Sequence, residues 1–167
     1  TLNLHLHGGD GIAGASTSKS VTISGGKVKG NVLGGESLTA NARYNTVTIK
    51  GGSAMAKVFG GRAGSGSANF NTVTLSGGTV SGQIYGGHAS LDASSNTISL
   101  SGGTVSGAVY CGYAKRNANN NRISLSGRVI KNSVYGGHAP GTGQAHHPTT
   151  PLSGAPTLPA PTLSRGV

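Results

Sequence analysis

Tryptophan is absent and aromatic residues make up 4% of the chain, which excludes a core built from large rings. Charged residues are also few at 10%, too few for a disordered polyelectrolyte, while hydrophobic residues at 34% are too few for a conventional globule. Repetition therefore has to supply the core. Proline, which interrupts sheet ladders, does not occur before residue 140; all six prolines follow, from Pro140 to Pro161. Cys111 is the single cysteine, so an intrachain disulfide and a Cys-based zinc cluster are both excluded. No apolar run approaches the roughly 18 residues of a membrane-spanning helix. The acidic side chains are Asp10, Glu36 and Asp92 alone, against 13 Lys plus Arg and a net charge of +10. Non-specific attraction to polyanions follows from that balance.

What is present is a repeat. The phrase N-T-V-T-L-S-G-G-T-V-S-G-Q-I-Y-G-G over residues 71–87 recurs in degenerate form, its first core position falling at Val21, Val47, Val73, Ile98 and Ile123. The steps are 26, 26, 25 and 25 residues, and the second glycine of the closing pair keeps them through Gly35, Gly61, Gly87, Gly112 and Gly137. Gly8 and Gly9 stand 26 residues before Gly34 and Gly35. The expectation is a coil that starts mid-turn at Thr1, as a piece of a longer one. The repeat vocabulary covers residues 1–139; residues 140–167, rich in Pro, Thr and Ala, read as a flexible or polyproline-like tail.

Within a turn the apolar residues alternate, as in Val73 and Leu75 between Thr72, Thr74 and Ser76, the period-2 mark of a half-buried strand. Gly77 and Gly78 permit a tight corner, Val80 and Ile84 continue inward, and Gly86 and Gly87 are expected to close that stretch. The small polar residues 88–95 then form a third side. Identical strands recurring every 25 or 26 residues pair most simply as parallel neighbours in successive coils. The expected fold is an all-β parallel solenoid of about five turns. Four apolar columns form its core: Val21 to Ile123, Ile23 to Leu125, Val28 to Ile130 and Val32 to Val134. Asn45, Asn71, Asn96 and Asn121, with Lys19 in the first turn, form a structural ladder in which asparagine serves backbone at a corner.

The candidate contact residues are Phe59, Tyr85, Tyr110 and Tyr135, in a column headed by Leu33. If Ile84 points inward, Tyr85 points outward, where stacked rings can hold a sugar or a protein; the alternative is that the rings cover the rod's own core. Outward Thr46, Thr48, Thr72 and Thr74 resemble the arrays of ice-binding solenoids, but Lys50 and Arg122 interrupt them. His88 and His138 share a repeat position with Arg62 and Tyr113, so no converging His and carboxylate set, and no metal or cofactor, is expected. Asp10 and Glu36 are the only acids expected to approach one another. Carboxylate scarcity argues against the polysaccharide-cleaving β-helix enzymes, and the calcium nonapeptide lacks its aspartates.

The motif N-T-[VI]-[TS]-[LI]-S-G-G-T-V-S-G-x-[VI]-Y at residues 71–85 and 96–110 resembles repeats in the passenger regions of bacterial autotransporter-type surface proteins. The resemblance covers residues 1–139, and the Pro-rich tail departs from it. It implies a right-handed β-helical stalk, secreted or displayed on a bacterial cell surface, with adhesion to host glycan or protein as its use. The expected function is thus a non-enzymatic stalk or adhesin segment. The alternatives are a fibre-forming protein that stacks end to end and, behind it, a polysaccharide-active enzyme.

Overall fold

A four-residue strand with one apolar edge cannot bury that edge alone; it needs a copy of itself above and below. The computed structural model describes residues 1–126, 129–141, 143–145, 152–153 and 163–164, and it shows a parallel β-solenoid of about five turns. No helix occurs among the described residues. Three stacks of strands form the sides. The first contains Ser20–Ile23, Thr46–Ile49, Thr72–Leu75, Thr97–Leu100 and Arg122–Ser126. The second contains the two-residue strands Lys27–Val28, Ser53–Ala54, Thr79–Val80, Thr104–Val105 and Val129–Ile130. The third contains Val32–Ser37, Val58–Ala63, Ile84–Ala89, Val109–Ala114 and Val134–His138, with Leu6–His7 and Asp10–Gly11 at its edge.

Register follows the repeat: Val47 pairs with Val21 and Val73, and Ile98 with Val73 and Ile123. All four expected apolar columns are buried in one continuous core. The corner glycines Gly26, Gly52, Gly78 and Gly103 have φ between 77° and 83°, a region a side chain resists, so this pair does turn the chain.

The asparagine ladder is fully buried and bonded from turn to turn. The backbone N–H of Asn45 donates to Asn71 Oδ1 at 3.0 Å, that of Asn71 to Asn96 Oδ1 at 2.9 Å, and that of Asn96 to Asn121 Oδ1 at 2.9 Å. Each amide nitrogen also donates across the corner, Asn71 Nδ2 to the Ala42 carbonyl at 3.0 Å and Asn96 Nδ2 to the Ala68 carbonyl at 3.0 Å. Buried backbone groups that lack partners cost about 1–3 kcal/mol each, so the ladder turns a corner of orphaned amides into a specified one.

The second glycine pair does not close a strand. The third-side strands run through it to Ala63, Ala89 and Ala114, which pack with Ala42, Ala68 and Ala93 as a second, small core. The glycines are there to make room: a Cβ on Gly61 would lie 2.5 Å from Asn71 Nδ2, and one on Gly87 2.6 Å from Asn96 Nδ2. The asparagine ladder and the glycine column therefore presuppose one another.

Most of the expected flexible tail lies outside the described residues. The described parts continue the coil: Gln144 bridges to Asn117, Leu152–Ser153 pairs in parallel with Leu125 and Ser126, and Leu163–Ser164 pairs with Val134 and Tyr135.

Candidate functional site

Strict alternation would send residues i and i+3 to opposite faces of a strand. Across the second glycine pair that parity flips. Val58 faces the main core and Ala63 the small core, while Phe59 and Arg62, three apart, meet on the outer side. Pairing between turns skips the first glycine of each pair, joining Phe59 to Tyr85 and then Gly61 to Gly87, so the irregularity recurs in every turn as a bulge does. Two adjacent columns result. One holds His7, Leu33, Phe59, Tyr85, Tyr110 and Tyr135; the other holds Asp10, Glu36, Arg62, His88, Tyr113 and His138.

The first column is a stack of rings. Phe59 and Tyr85 lie 5.0 Å apart at 9°, Tyr85 and Tyr110 5.2 Å at 10°, and Tyr110 and Tyr135 4.8 Å at 3°. His88 and Tyr113 stack beside them at 5.0 Å and 1°, and the two stacks meet edge to face: Tyr85 with His88 at 5.1 Å, Tyr110 with Tyr113 at 5.4 Å. Such offset and T-shaped contacts are worth about 0.5–1.5 kcal/mol each beyond the area they bury. The expected outward contact column is thereby corrected in part. Phe59 at 4% and Tyr85 at 7% exposure are roofed by the second column, because the parity flip folds Arg62, His88 and Tyr113 over them. Tyr110 and Tyr135 remain half-buried.

Burial sets the chemistry of this face. It raises the Tyr85 phenol to about 12, with Tyr110 and Tyr113 adding repulsion, and it raises Tyr110 as well. Burial, with the positive Arg62 and Lys57 nearby, lowers His88 to about 4, and burial alone lowers His138. These shifts all favour the neutral forms of Tyr85, Tyr110, His88 and His138, with Arg62 as the charged group lying over Phe59.

Two features escaped the sequence reasoning. Tyr44 and Phe70, immediately before the ladder asparagines, are 56% and 47% exposed and stack at 5.1 Å and 9°. Both have positive φ, 57° and 59°, as do Ser18, Ser95 and Asn120 at the same position. Bulky residues in that region cost about 1–2 kcal/mol each, whereas Asn tolerates it. The only sequence signal was an aromatic residue in a column otherwise made of small turn formers.

The second lies at the first turn. The expectation that no His and carboxylate set converges fails there. Ligand atoms of His7, Asp10 and Glu36 all lie within 4.8 Å of one another, since the parity flip across Gly8 and Gly9 puts His7 beside Asp10 and register puts Asp10 beside Glu36. The expected approach of Asp10 and Glu36 is observed. Arg62 Nη1 donates to Glu36 Oε1 at 2.6 Å, and His7 Nδ1 lies 3.7 Å from Glu36 Oε2.

The third acid, Asp92, accepts from Arg116 Nη2 at 2.7 Å and Asn117 Nδ2 at 2.8 Å, and the Arg116 bond holds its carboxyl below the usual range. Cys111 stands where other turns have the first glycine; its buried thiol donates to the Asn96 carbonyl, and burial raises its pKa. It packs in the main core. Compared with family models, curated proteins and solved structures, the chain matches none.

Proposed function

We propose that this chain is a segment of a non-enzymatic stalk or adhesin, secreted or displayed at a bacterial cell surface, whose aromatic patches touch glycan or protein. The observation that carries the reading is the exposed Tyr44–Phe70 stack. Two large rings are held outward at positive φ, in positions where other turns use Ser18, Ser95 or Asn120. Strain of that kind, carried by two exposed rings at a position where asparagine, as at Asn120, is the residue that tolerates it, supports a surface kept for contact. Parallel rings about one strand spacing apart offer a flat apolar platform that suits the C–H face of a sugar or an aromatic side chain. The regular coil below supplies length and rigidity. Of the three acids, Asp92 is held by Arg116 and one oxygen of Glu36 by Arg62.

The test is binding of immobilised protein to a broad panel of glycans and cell-surface proteins. The double variant Tyr44→Ser with Phe70→Ser uses the residue type this column already carries at Ser18 and Ser95, so the fold is kept. Binding at least tenfold weaker in the variant, about 1.4 kcal/mol, is the expected result. Failure of the wild type to bind anything on the panel, or binding that ignores the variant, rejects the reading.

A further inference from the structure

We propose that His7, Asp10 and Glu36 form a site for a first-row divalent cation of the zinc type, which clips the first turn to the second. Three observations carry it. The donor set is one imidazole and two carboxylates, a borderline-hard combination that suits zinc and its neighbours. His7 Nδ1 is buried and has no hydrogen-bond partner among the described residues, an orphan nitrogen pointed at the carboxylates. Two of the three acidic side chains in a chain of net charge +10 meet at this one point, where chance would have scattered them among arginines and lysines.

Geometry agrees. Ligands about 2.0–2.2 Å from a tetrahedral ion sit roughly 3.4 Å from one another. His7 Nδ1 and Glu36 Oε2 are already 3.7 Å apart, and the remaining closure from within 4.8 Å falls to Asp10, whose exposed side chain is free to rotate. Glu36 Oε1 bonds to Arg62, which leaves Oε2 directed at His7 and fixes the carboxylate's orientation, the usual task of a partner behind a metal ligand. Three protein ligands leave a fourth position for water or for an oxygen of a bound partner.

The place in the fold gives the ion a purpose. In the first turn the third-side strand is split into Leu6–His7 and Asp10–Gly11, and Lys19 stands where later turns have a ladder asparagine. Backbone bonds still cross the split, Gly8 N–H to the Leu33 carbonyl and Glu36 N–H to the Gly9 carbonyl at 2.9 Å each, and an ion held by His7 and Asp10 from that turn and Glu36 from the next adds a cross-turn tie where Lys19 supplies no side-chain amide.

Calorimetric titration of the full chain with Zn2+ tests this, alongside the variants Asp10→Asn and His7→Gln and a control, His146→Ala with His147→Ala, that removes the adjacent tail histidines. One equivalent bound, weakened at least tenfold in each site variant and unchanged in the control, is expected. Histidine-ring NMR should show the His7 resonances moving with Zn2+ while His88 stays in place. Both site substitutions fall on side chains that are not fully buried, and far-UV circular dichroism verifies that the coil persists. Absence of stoichiometric binding, binding lost only in the tail control, or binding indifferent to Asp10→Asn overturns the proposal. The stalk reading stands or falls separately, on Tyr44 and Phe70.

Discussion

The first turn and the central turns are built on the same template and use it for different ends. Between Asn45 and Leu125 the third-side strands are six residues long, the asparagine ladder is continuous, and the outer columns are filled by stacked rings. At the first turn the strand is broken in two, Lys19 interrupts the ladder, and the same two columns carry His7 and Asp10. The difference teaches that the column, not the residue, is the unit of this fold. Each position tolerates whatever its neighbours above and below will stack with or bond to, so packing and chemistry are alternative fillings of one lattice.

The largest blow to the central turns should come from Asn71→Ala. It removes the acceptor for the Asn45 N–H and the donor to the Ala42 carbonyl, both inside a dry corner. At about 1–3 kcal/mol for each orphaned group, a loss of roughly 3 kcal/mol or more is expected in chemical denaturation. A loss below 1 kcal/mol would mean that the ladder does not distinguish the two regions.

How much of this was legible beforehand depends on what periodicity encodes. The columns from Val21 to Ile123 and from Asn45 to Asn121 were readable because burial there follows a repeat of 25 or 26 residues and an alternation of two. Gly86 and Gly87 were expected to close a strand, since a parity flip leaves no mark in composition; only the asparagine packed against Gly87 reveals why the strand continues. The meeting of His7 with Asp10 depends on that same flip and was hidden with it. Tyr44 and Phe70 were missed because their column, Ser18, Tyr44, Phe70, Ser95 and Asn120, has no shared chemistry, only a shared φ.

Acid offers a subtler way to separate the regions. His88, set among Arg62, Lys57, Tyr113 and the rings of Phe59 and Tyr85, is held near 4, below the ordinary 6.5. The unfolded chain therefore binds a proton between pH 6.5 and 4 that the folded chain refuses. Its contribution to stability is complete above pH 6.5 and is lost as pH falls toward 4. A thermal midpoint falling by roughly 5 °C across that window is expected, with a smaller fall in His88→Tyr, the residue type of the next turn's Tyr113. Equal falls in both proteins would remove His88 from the account.

The smallest effect, and the most direct test, concerns Lys19. Its backbone N–H already donates to Asn45 Oδ1 at 2.9 Å, and Gly9 leaves above it the space that Gly35 leaves beside Asn45. Lys19→Asn should let a new amide donate to Asn45 Oδ1 as Asn45 Nδ2 donates to Asn71 Oδ1, stabilising the first turn by about 1 kcal/mol. Native-state hydrogen exchange measures both regions at once. The account predicts that the amides of Asn45, Asn71 and Asn96 exchange slowest, that those of Leu6 and Gly8 exchange far faster, and that Lys19→Asn slows the latter about fivefold. Equal protection of both regions in the wild-type protein, or no response to Lys19→Asn, would contradict it.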